Sequence, residues 1–309
     1  MTNFIKHIFR KILSEQTYRK LQDLRTTIYM KICPKTGISI IFRSVLGYDM
    51  SWDNPQDLNE KINWLKLYSD TSEWTRLSDK YRVREYIQEK GYGDLLVPLI
   101  GKWDKVEDID WNSLPNQFVM KMNNGSGDAL ICKDKSQLDI EYWKKEFKKL
   151  FKTTFGVTMG EFHYTKIKPC IIAEELLDAT NQPVKTTSII DYKVWCFDGE
   201  VCYIWACLNR NKSSVEVNLY DTNWKTCTEH CVETHHYLIS KTEVPRPTTL
   251  NQMIQAASSL SEGFPQVRID FYEVNGKLYF GEMTFTSNAG YMDFYTRDFM
   301  LELGKKVKL

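Results

Sequence analysis

The sequence lacks any apolar run near the roughly 18 residues that a membrane-spanning helix needs. Its longest candidates, such as Ile38-Ser39-Ile40-Ile41-Phe42, stop far short. It also lacks an excess of either charge. Lys plus Arg number 41 against 40 Asp plus Glu, a formal net charge of +1, which argues against a protein built to coat nucleic acid. The opening residues, Met1 to Arg10, contain no continuous apolar stretch and no small-residue cleavage site, so they do not read as a secretory signal. No internal repeat and no low-complexity segment occurs. No disulfide framework is legible either. Cys33, Cys132, Cys170, Cys196, Cys202, Cys207, Cys227 and Cys231 are scattered, several inside apolar strand-like runs. They read as free thiols in a reducing cytoplasm.

What is present is ordinary globular material. At 42% hydrophobic and 26% charged residues the chain is far from disorder, and 309 residues suffice for two domains. Aromatics reach 13%, which fits either a large core or a sugar-handling surface.

Residues 1–32 read as a helical arm, with Ile5, Ile8, Phe9 and Ile12 on one face and Lys6, Arg10 and Lys11 on the other. Such a helix either packs on the body of the protein or lies on an anionic membrane. Asn54 to Lys61 has Pro and acids where a helix starts. A further helix is expected over Leu77–Glu89, ended by Gly91 and Gly93, then a strand over Leu95–Ile100. Strands follow at Gln117–Met122, Ala129–Cys132 and Cys170–Leu177, with a basic helix at Glu141–Phe151 between the last two. Later strands are expected at Asp191–Phe197, Val201–Leu208 and Val215–Tyr220. A helix at Leu250–Leu260 precedes a hairpin, Val267–Glu273 and Lys277–Met283, across the turn Asn275-Gly276. The pattern is α+β.

Four features carry chemistry. Lys121 precedes the loop Asn123-Asn124-Gly125-Ser126-Gly127-Asp128, whose backbone amides can cradle phosphate; taken alone, a Gly-Ser-Gly loop is more often a plain turn. Arg268-Ile269-Asp270 and Glu282 lie on opposite arms of the last hairpin. Pairing would bring Asp270 and Glu282 to one face, where two carboxylates repel unless a cation such as Mg²⁺ sits between them. Glu174-Glu175 ends an apolar strand, and Lys80 and Lys193 are isolated lysines that taken singly read as surface residues.

In this order the residues resemble the ATP-grasp enzymes, and within them the TupA-like group named for teichuronopeptide biosynthesis. The resemblance runs from about Leu58 to the C-terminus. It rests on Leu58–Trp64, Leu77–Tyr86, Phe118–Lys121 with Gly125–Gly127, Ile131–Ser136, Ala173–Glu175, Asp191–Glu200 and, most specifically, Val267–Glu282. It implies an ATP-grasp fold of two α+β subdomains clasping ATP. Residues 1–75 would form the helical arm, 76–170 the N-terminal subdomain with the Gly-rich loop, and 171–309 the C-terminal subdomain with the adenine and metal sites. Lys80 and Lys121 would contact the phosphates under a mobile loop of Asn124, Gly125, Ser126, Gly127 and Asp128. Glu174 with the backbone of Glu175 and Leu177 would bind adenine, and Lys193 would add a phosphate contact. Arg268, with Lys121, would act on the transferred phosphoryl group. Asp270 and Glu282 would hold Mg²⁺. Thr284 stands where many ATP-grasp enzymes have a metal-binding Asn, with Asn288 a substitute; Asp178 and Asp191 are candidates for the ribose.

The activity implied is carboxylate–amine ligation through an acyl phosphate in cell-surface polysaccharide or teichuronopeptide assembly. The substrate would be a sugar acid, an amino acid or a glycan, without nucleic acid. The location would be cytoplasmic, with peripheral membrane contact through the arm. Asn288 to Tyr291 and Arg297 either line the acceptor pocket or pack the C-terminal helix. The rivals are an ATP-grasp kinase with a hydroxyl acceptor, a non-catalytic binding module, and a glycosyltransferase using Asp108-Ile109-Asp110. A zinc site at Cys227, His230, Cys231 and His235 or His236 has suitable residue types but no familiar spacing.

Overall fold

The computed structural model describes residues 15–127 and 129–309. Ile5, Ile8, Phe9 and Ile12 of the expected amphipathic helix lie outside these residues, as does Asp128. The arm consists of α1 (Glu15–Ile32) and α2 (Pro34–Leu46), followed by α3 (Leu58–Tyr68), α4 (Ser72–Leu77) and α5 (Val83–Glu89). Next come β1 (Leu99–Trp103), β2 (Phe118–Met122), β3 (Leu130–Cys132), α6 (Ile140–Leu150), α7 (Phe162–Thr165) and β4 (Ile171–Glu174). The chain continues with β5 (Asp191–Phe197), β6 (Glu200–Leu208), β7 (Val215–Asp221), β8 (Tyr237–Ile239) and α8 (Leu250–Ser261). It closes with β9 (Val267–Val274), β10 (Lys277–Thr284) and α9 (Arg297–Lys306).

Two sheets result. A four-stranded antiparallel sheet has the order β1-β4-β2-β3. A six-stranded sheet has the order β10-β9-β5-β6-β7-β8, antiparallel except for β7 against β8. Because β4 pairs with β1 and β2, the boundary expected at residue 170 moves past Glu174. The segment before the small sheet also belongs elsewhere. Leu58, Ile62, Leu65, Trp74, Leu77, Val83 and Ile87 are buried in one core with the six-stranded sheet and α8. The small sheet has its own core, around Phe118, Met120, Phe147 and Ile171.

The single helix expected over Leu77–Glu89 is two helices with a turn between them. Asp79 Oδ1 accepts from the amides of Tyr81, at 2.9 Å, and Arg82, at 3.2 Å, which competes with helix continuation. The amide of Lys80 donates to Asn123 O at 3.0 Å, so the turn is pinned to the Gly-rich loop. β1 starts at Leu99, after a short 3-10 turn over Gly93–Leu95, rather than at Leu95. β5 is buried at every residue because β9 and β6 flank it and α8 packs against it, so that even its polar Asp191 and Lys193 are buried. The last hairpin turns on Asn275 and Gly276, both with positive φ, the twist that two-residue hairpins require.

Candidate active site

A cleft of about 100 Å³ opens between the two sheets, lined by Lys80, Lys121, Gly125, Ser126, Gly127 and Glu282 among others. The small sheet supplies one wall. On β2, Phe118, Met120 and Met122 point into the core, so Lys121 emerges on the other face. The register places Val119 opposite Glu174 and Lys121 opposite Ile172, making Lys121 and Glu174 diagonal neighbours. Lys121 Nζ lies 2.7 Å from Glu174 Oε2, and Arg84 takes Glu174 Oε1 at 2.9 Å. Both oxygens of Glu174 are therefore committed to cations. The Glu175 amide donates to Pro98 O at 3.0 Å, and Leu177 is half-buried on the segment that leaves the sheet. The buried Asn123 roots the loop: its Oδ1 accepts from the Cys170 amide at 2.8 Å and its Nδ2 donates to Lys168 O at 3.0 Å. From there Asn124, Gly125, Ser126 and Gly127 project over the cleft. Lys80 Nζ donates to Gly125 O at 2.6 Å.

The large sheet supplies the other wall through its register. Lys193 on β5 stands opposite Asp270 on β9, which stands opposite Glu282 on β10. The next row is Trp195, Arg268 and Thr284. An irregularity between Phe280 and Glu282 sets this alignment. At Gly281 a Cβ would lie 3.0 Å from Asp270 O, so any larger residue in the bulge would press on the backbone of β9. Arg268 grips Asp270 with two bonds, Nε to Oδ1 at 2.6 Å and Nη2 to Oδ2 at 2.8 Å. Its Nη2 also reaches Glu282 Oε1 and Thr284 Oγ1, each at 3.1 Å. Lys193 Nζ bonds Asp270 Oδ2, and Asp191 Oδ2 lies 2.6 Å from it. Asp191 Oδ1 is buried without a partner.

The electrostatics follow from burial among opposite charges. Burial alone would raise the Glu282 carboxyl, but Lys80, Arg268 and Lys193 overcome it and hold it at about 2. Burial pushes the Asp270 carboxyl up; the three donors from Arg268 and Lys193 favour its charged form. Burial and Arg268 act against the Lys193 charge, yet Asp191 and Asp270 raise it above the ordinary lysine value. Burial lowers Lys80, with Lys121 adding to the effect and Glu282 opposing it.

Among the described residues no three His, Cys, Asp or Glu side chains converge to hold a metal alone. Asp270 and Glu282 form a two-carboxylate set beside a cleft with room for phosphate oxygens, and that donor set suits Mg²⁺. Asn288 sits on the turn after β10 with its amide nitrogen bonded to Tyr291 O at 2.7 Å, while Thr284 Oγ1 donates to Glu282 Oε1 at 2.9 Å. The zinc candidates do not assemble: His230 stacks on Phe299 at 4.4 Å, Cys231 is buried, and His236 Nδ1 bonds Ser213 O. Asp108 and Asp110 are exposed in a turn, where Asp110 caps the Asn112 amide. Arg297 stacks on Tyr48 at 3.6 Å and pairs with Asp57 at 2.8 Å, tying α9 to the start of α3. Arg84 was not singled out from sequence, although it lies in the Leu77–Tyr86 block; one arginine on a helix carries no sign of a partner 90 residues away.

Comparison with known proteins bears on this arrangement. A family model described as TupA-like ATPgrasp matches residues 60–308. No match is found among curated proteins. Solved structures with a likeness include a D-alanine–D-alanine ligase from Bacillus anthracis complexed with ATP, at 14% identity and a TM-score of 0.36. That match covers 68% of this chain and 55% of that one. A D-alanine–D-alanine ligase from Helicobacter pylori matches at 11% identity and TM-score 0.41, over 82% of this chain and 67% of that one. The ATP-grasp ligase PsnB complexed with minimal precursor, Mg and ADP matches at 13% identity and TM-score 0.38, over 81% and 66%. The chain thus spans about half to two thirds of the length of these structures.

Proposed function

Since the chain belongs to the TupA-like ATP-grasp family and has the ATP-grasp fold, we propose that it is an ATP- and Mg²⁺-dependent carboxylate–amine ligase acting in cell-surface polysaccharide assembly. The observation that carries the reading is the pair of facing walls. Lys80, Lys121 and the Gly125–Gly127 loop lie on one side, and the row Lys193, Asp270 and Glu282 with Arg268 beside it on the other.

A carboxylate at neutral pH is a poor electrophile, and phosphorylation by ATP converts it to an acyl phosphate that an amine can attack. Lys80 and Lys121 bring positive charge to the polyphosphate, and the loop amides add donors. Lys121 exchanges its bond to Glu174 for one to phosphate, while Arg84 keeps that carboxylate balanced. Arg268 and Lys193 hold positive charge where negative charge grows on the transferred phosphoryl group. Asp270 and Glu282 are the residues that would hold Mg²⁺, which neutralises phosphate oxygens. The acceptor is a sugar acid or an amino acid; the family resemblance supports that class and the link to surface glycans. The arm supports a site of action at the inner membrane face. Leu24, Ile28 and Ile32 are exposed on one face of α1, and residues 1–35 carry eight Lys or Arg against two acids.

The test is calorimetric titration of a non-hydrolysable ATP analogue with Mg²⁺. Wild type should bind, and Lys121→Ala combined with Glu282→Gln should abolish binding without unfolding the protein. Wild type that stays folded and fails to bind refutes the reading. With binding in hand, phosphate release in the presence of sugar acids and amines separates a ligase, which yields an amide, from a kinase, which yields a phosphate ester.

A further inference from the structure

α3 buries polar groups that a helix would normally expose. Asn59, Asn63 and Lys66 stand at i, i+4 and i+7, one face of the helix, and are at most 6% exposed. All three bond the backbone of one turn, Ser287–Met292. Asn59 exchanges two bonds with Met292, Nδ2 to O at 3.1 Å and the Met292 amide to Oδ1 at 2.8 Å. Asn63 Nδ2 donates to Gly290 O at 2.7 Å. Lys66 Nζ donates to Ala289 O at 2.8 Å and Met159 O at 2.9 Å, and lies 4.8 Å from the centre of the Tyr291 ring. Glu161, itself buried, offsets the Lys66 charge and accepts from Thr286 Oγ1 at 2.6 Å.

The turn so held is strained. Asn288, Ala289 and Gly290 are consecutively left-handed, at φ 43°, 53° and 76°, and only the last is glycine. A Cβ at Gly290 would lie 2.8 Å from Asn63 Nδ2, so the helix leaves no other residue room there. At its other end the turn touches the candidate chemistry: Arg268 Nη1 donates to Ser287 Oγ at 3.3 Å. Strain of this kind persists only where the surroundings over-determine it, and three side chains of α3 do so here.

We propose that Asn59, Asn63 and Lys66 are positioning residues that hold the Ser287–Met292 turn in its left-handed form, and that the turn, through Ser287, sets the Arg268 guanidinium facing the transferred phosphoryl group. The inference rests on the ligase reading and deepens it. The polar stripe acts on the transition state rather than on nucleotide capture, because in the ligase reading Arg268 serves the transferred phosphoryl group while Lys80 and Lys121 serve the polyphosphate.

The test uses the full chain and two probes, Mg²⁺ with the non-hydrolysable ATP analogue and Mg²⁺ with ADP and aluminium fluoride, a mimic of the phosphoryl group in flight. Two variants are compared with wild type. Ser287→Ala removes only the bond to Arg268. Lys66→Met with Glu161→Gln removes both buried charges together, so that neither is left unpaired. Both variants should bind the ATP analogue as wild type does and bind the aluminium fluoride complex roughly tenfold more weakly, the scale of a small misplacement at a reacting centre. Faster hydrogen exchange at Ala289–Met292 should accompany the loss in the Lys66 variant alone. Equal affinity of the variants for both probes overturns the inference, and so does an equal loss for both, which marks a merely structural role. Wild type that binds neither probe overturns the nucleotide reading itself.

Discussion

His163 shows what a single buried side chain does to the pH response of the whole protein. It is 1% exposed, edge-on to Trp74 at 5.7 Å, and its Nε2 has no hydrogen-bond partner. Burial, with Lys66 and Lys166 adding, pushes its pKa down to about 3. The folded protein therefore keeps it neutral while the unfolded chain binds a proton below its ordinary value of 6.5. Stability is unaffected above that pH and falls as the pH drops from 6.5 toward 3. Between pH 6.5 and 4.5 this one residue should remove about 2 kcal/mol. Urea titrations at both pH values should show His163→Phe, which keeps a ring against Trp74, losing that much less than wild type; parallel slopes would mean that other groups set the acid response. A second prediction at this scale concerns Arg84. With Arg84→Met, Glu174 keeps Lys121 as its remaining cation and holds it away from phosphate. Affinity for the Mg²⁺-bound ATP analogue should fall about tenfold by calorimetry, whereas an unchanged value would show that Lys121 is not recruited from Glu174.

Among the elements, α3 is the most heavily used. Its N-terminus carries a full capping box, Asp57 accepting from the Glu60 amide and Glu60 reaching back to the Asp57 amide. Asp57 also accepts from Tyr48 Oη at 2.7 Å and pairs with Arg297, while Glu60 takes the amides of Ser51 and Gln56. One helix start thus binds the arm, the C-terminal helix and the preceding loop. Gly304 on α9 makes this possible, because a Cβ there would lie 2.1 Å from Gln56 O. Asp57→Ala should cost about 2–3 kcal/mol, more than the ~1 kcal/mol of an ordinary cap, since Arg297 and Tyr48 lose a buried partner as well. Equilibrium unfolding in urea measures this, and a cost no greater than that of an ordinary cap would show that the bonds to Tyr48 and Arg297 add nothing. The hairpin of β9 and β10 is the opposite case. Its turn and its two arms are local and lie where they are expected, although the alignment of its carboxylates depends on the bulge at Gly281 and on β5.

For the whole molecule, the arm raises the question of where the protein works. No helix among the described residues is long and apolar enough to cross a membrane. The exposed stripe of Leu24, Ile28 and Ile32, with Arg25 and Lys31 on the same helix, fits an anionic lipid surface. The full chain should co-sediment with vesicles containing phosphatidylglycerol and not with pure phosphatidylcholine vesicles. Replacing Leu24, Ile28 and Ile32 together by Ser should weaken that binding at least about fivefold. Undiminished binding by this variant would move the contact off α1.

Much of this protein is determined locally, and that part is legible residue by residue. Runs of apolar, β-branched and aromatic residues mark the strands β5, β6, β7, β9 and β10. Asn275-Gly276 marks the hairpin, and the separated blocks from Leu58 to Glu282 mark the family. Side-chain alternation and turn chemistry act over a few residues, so a linear reading captures them. The tertiary structure decided the rest. Whether Asp270 faces Glu282 and Lys193 depended on a bulge at Gly281 and a register shared by three strands. The turn at Lys80 that splits the expected helix is pinned to Asn123, 43 residues away. The partners of Glu174, and the turn held by Asn59, Asn63 and Lys66, lie about 50 to more than 220 residues away along the chain. A buried polar group must find a hydrogen-bond partner. Which partner it finds depends on how distant segments pack, and no local pattern records that.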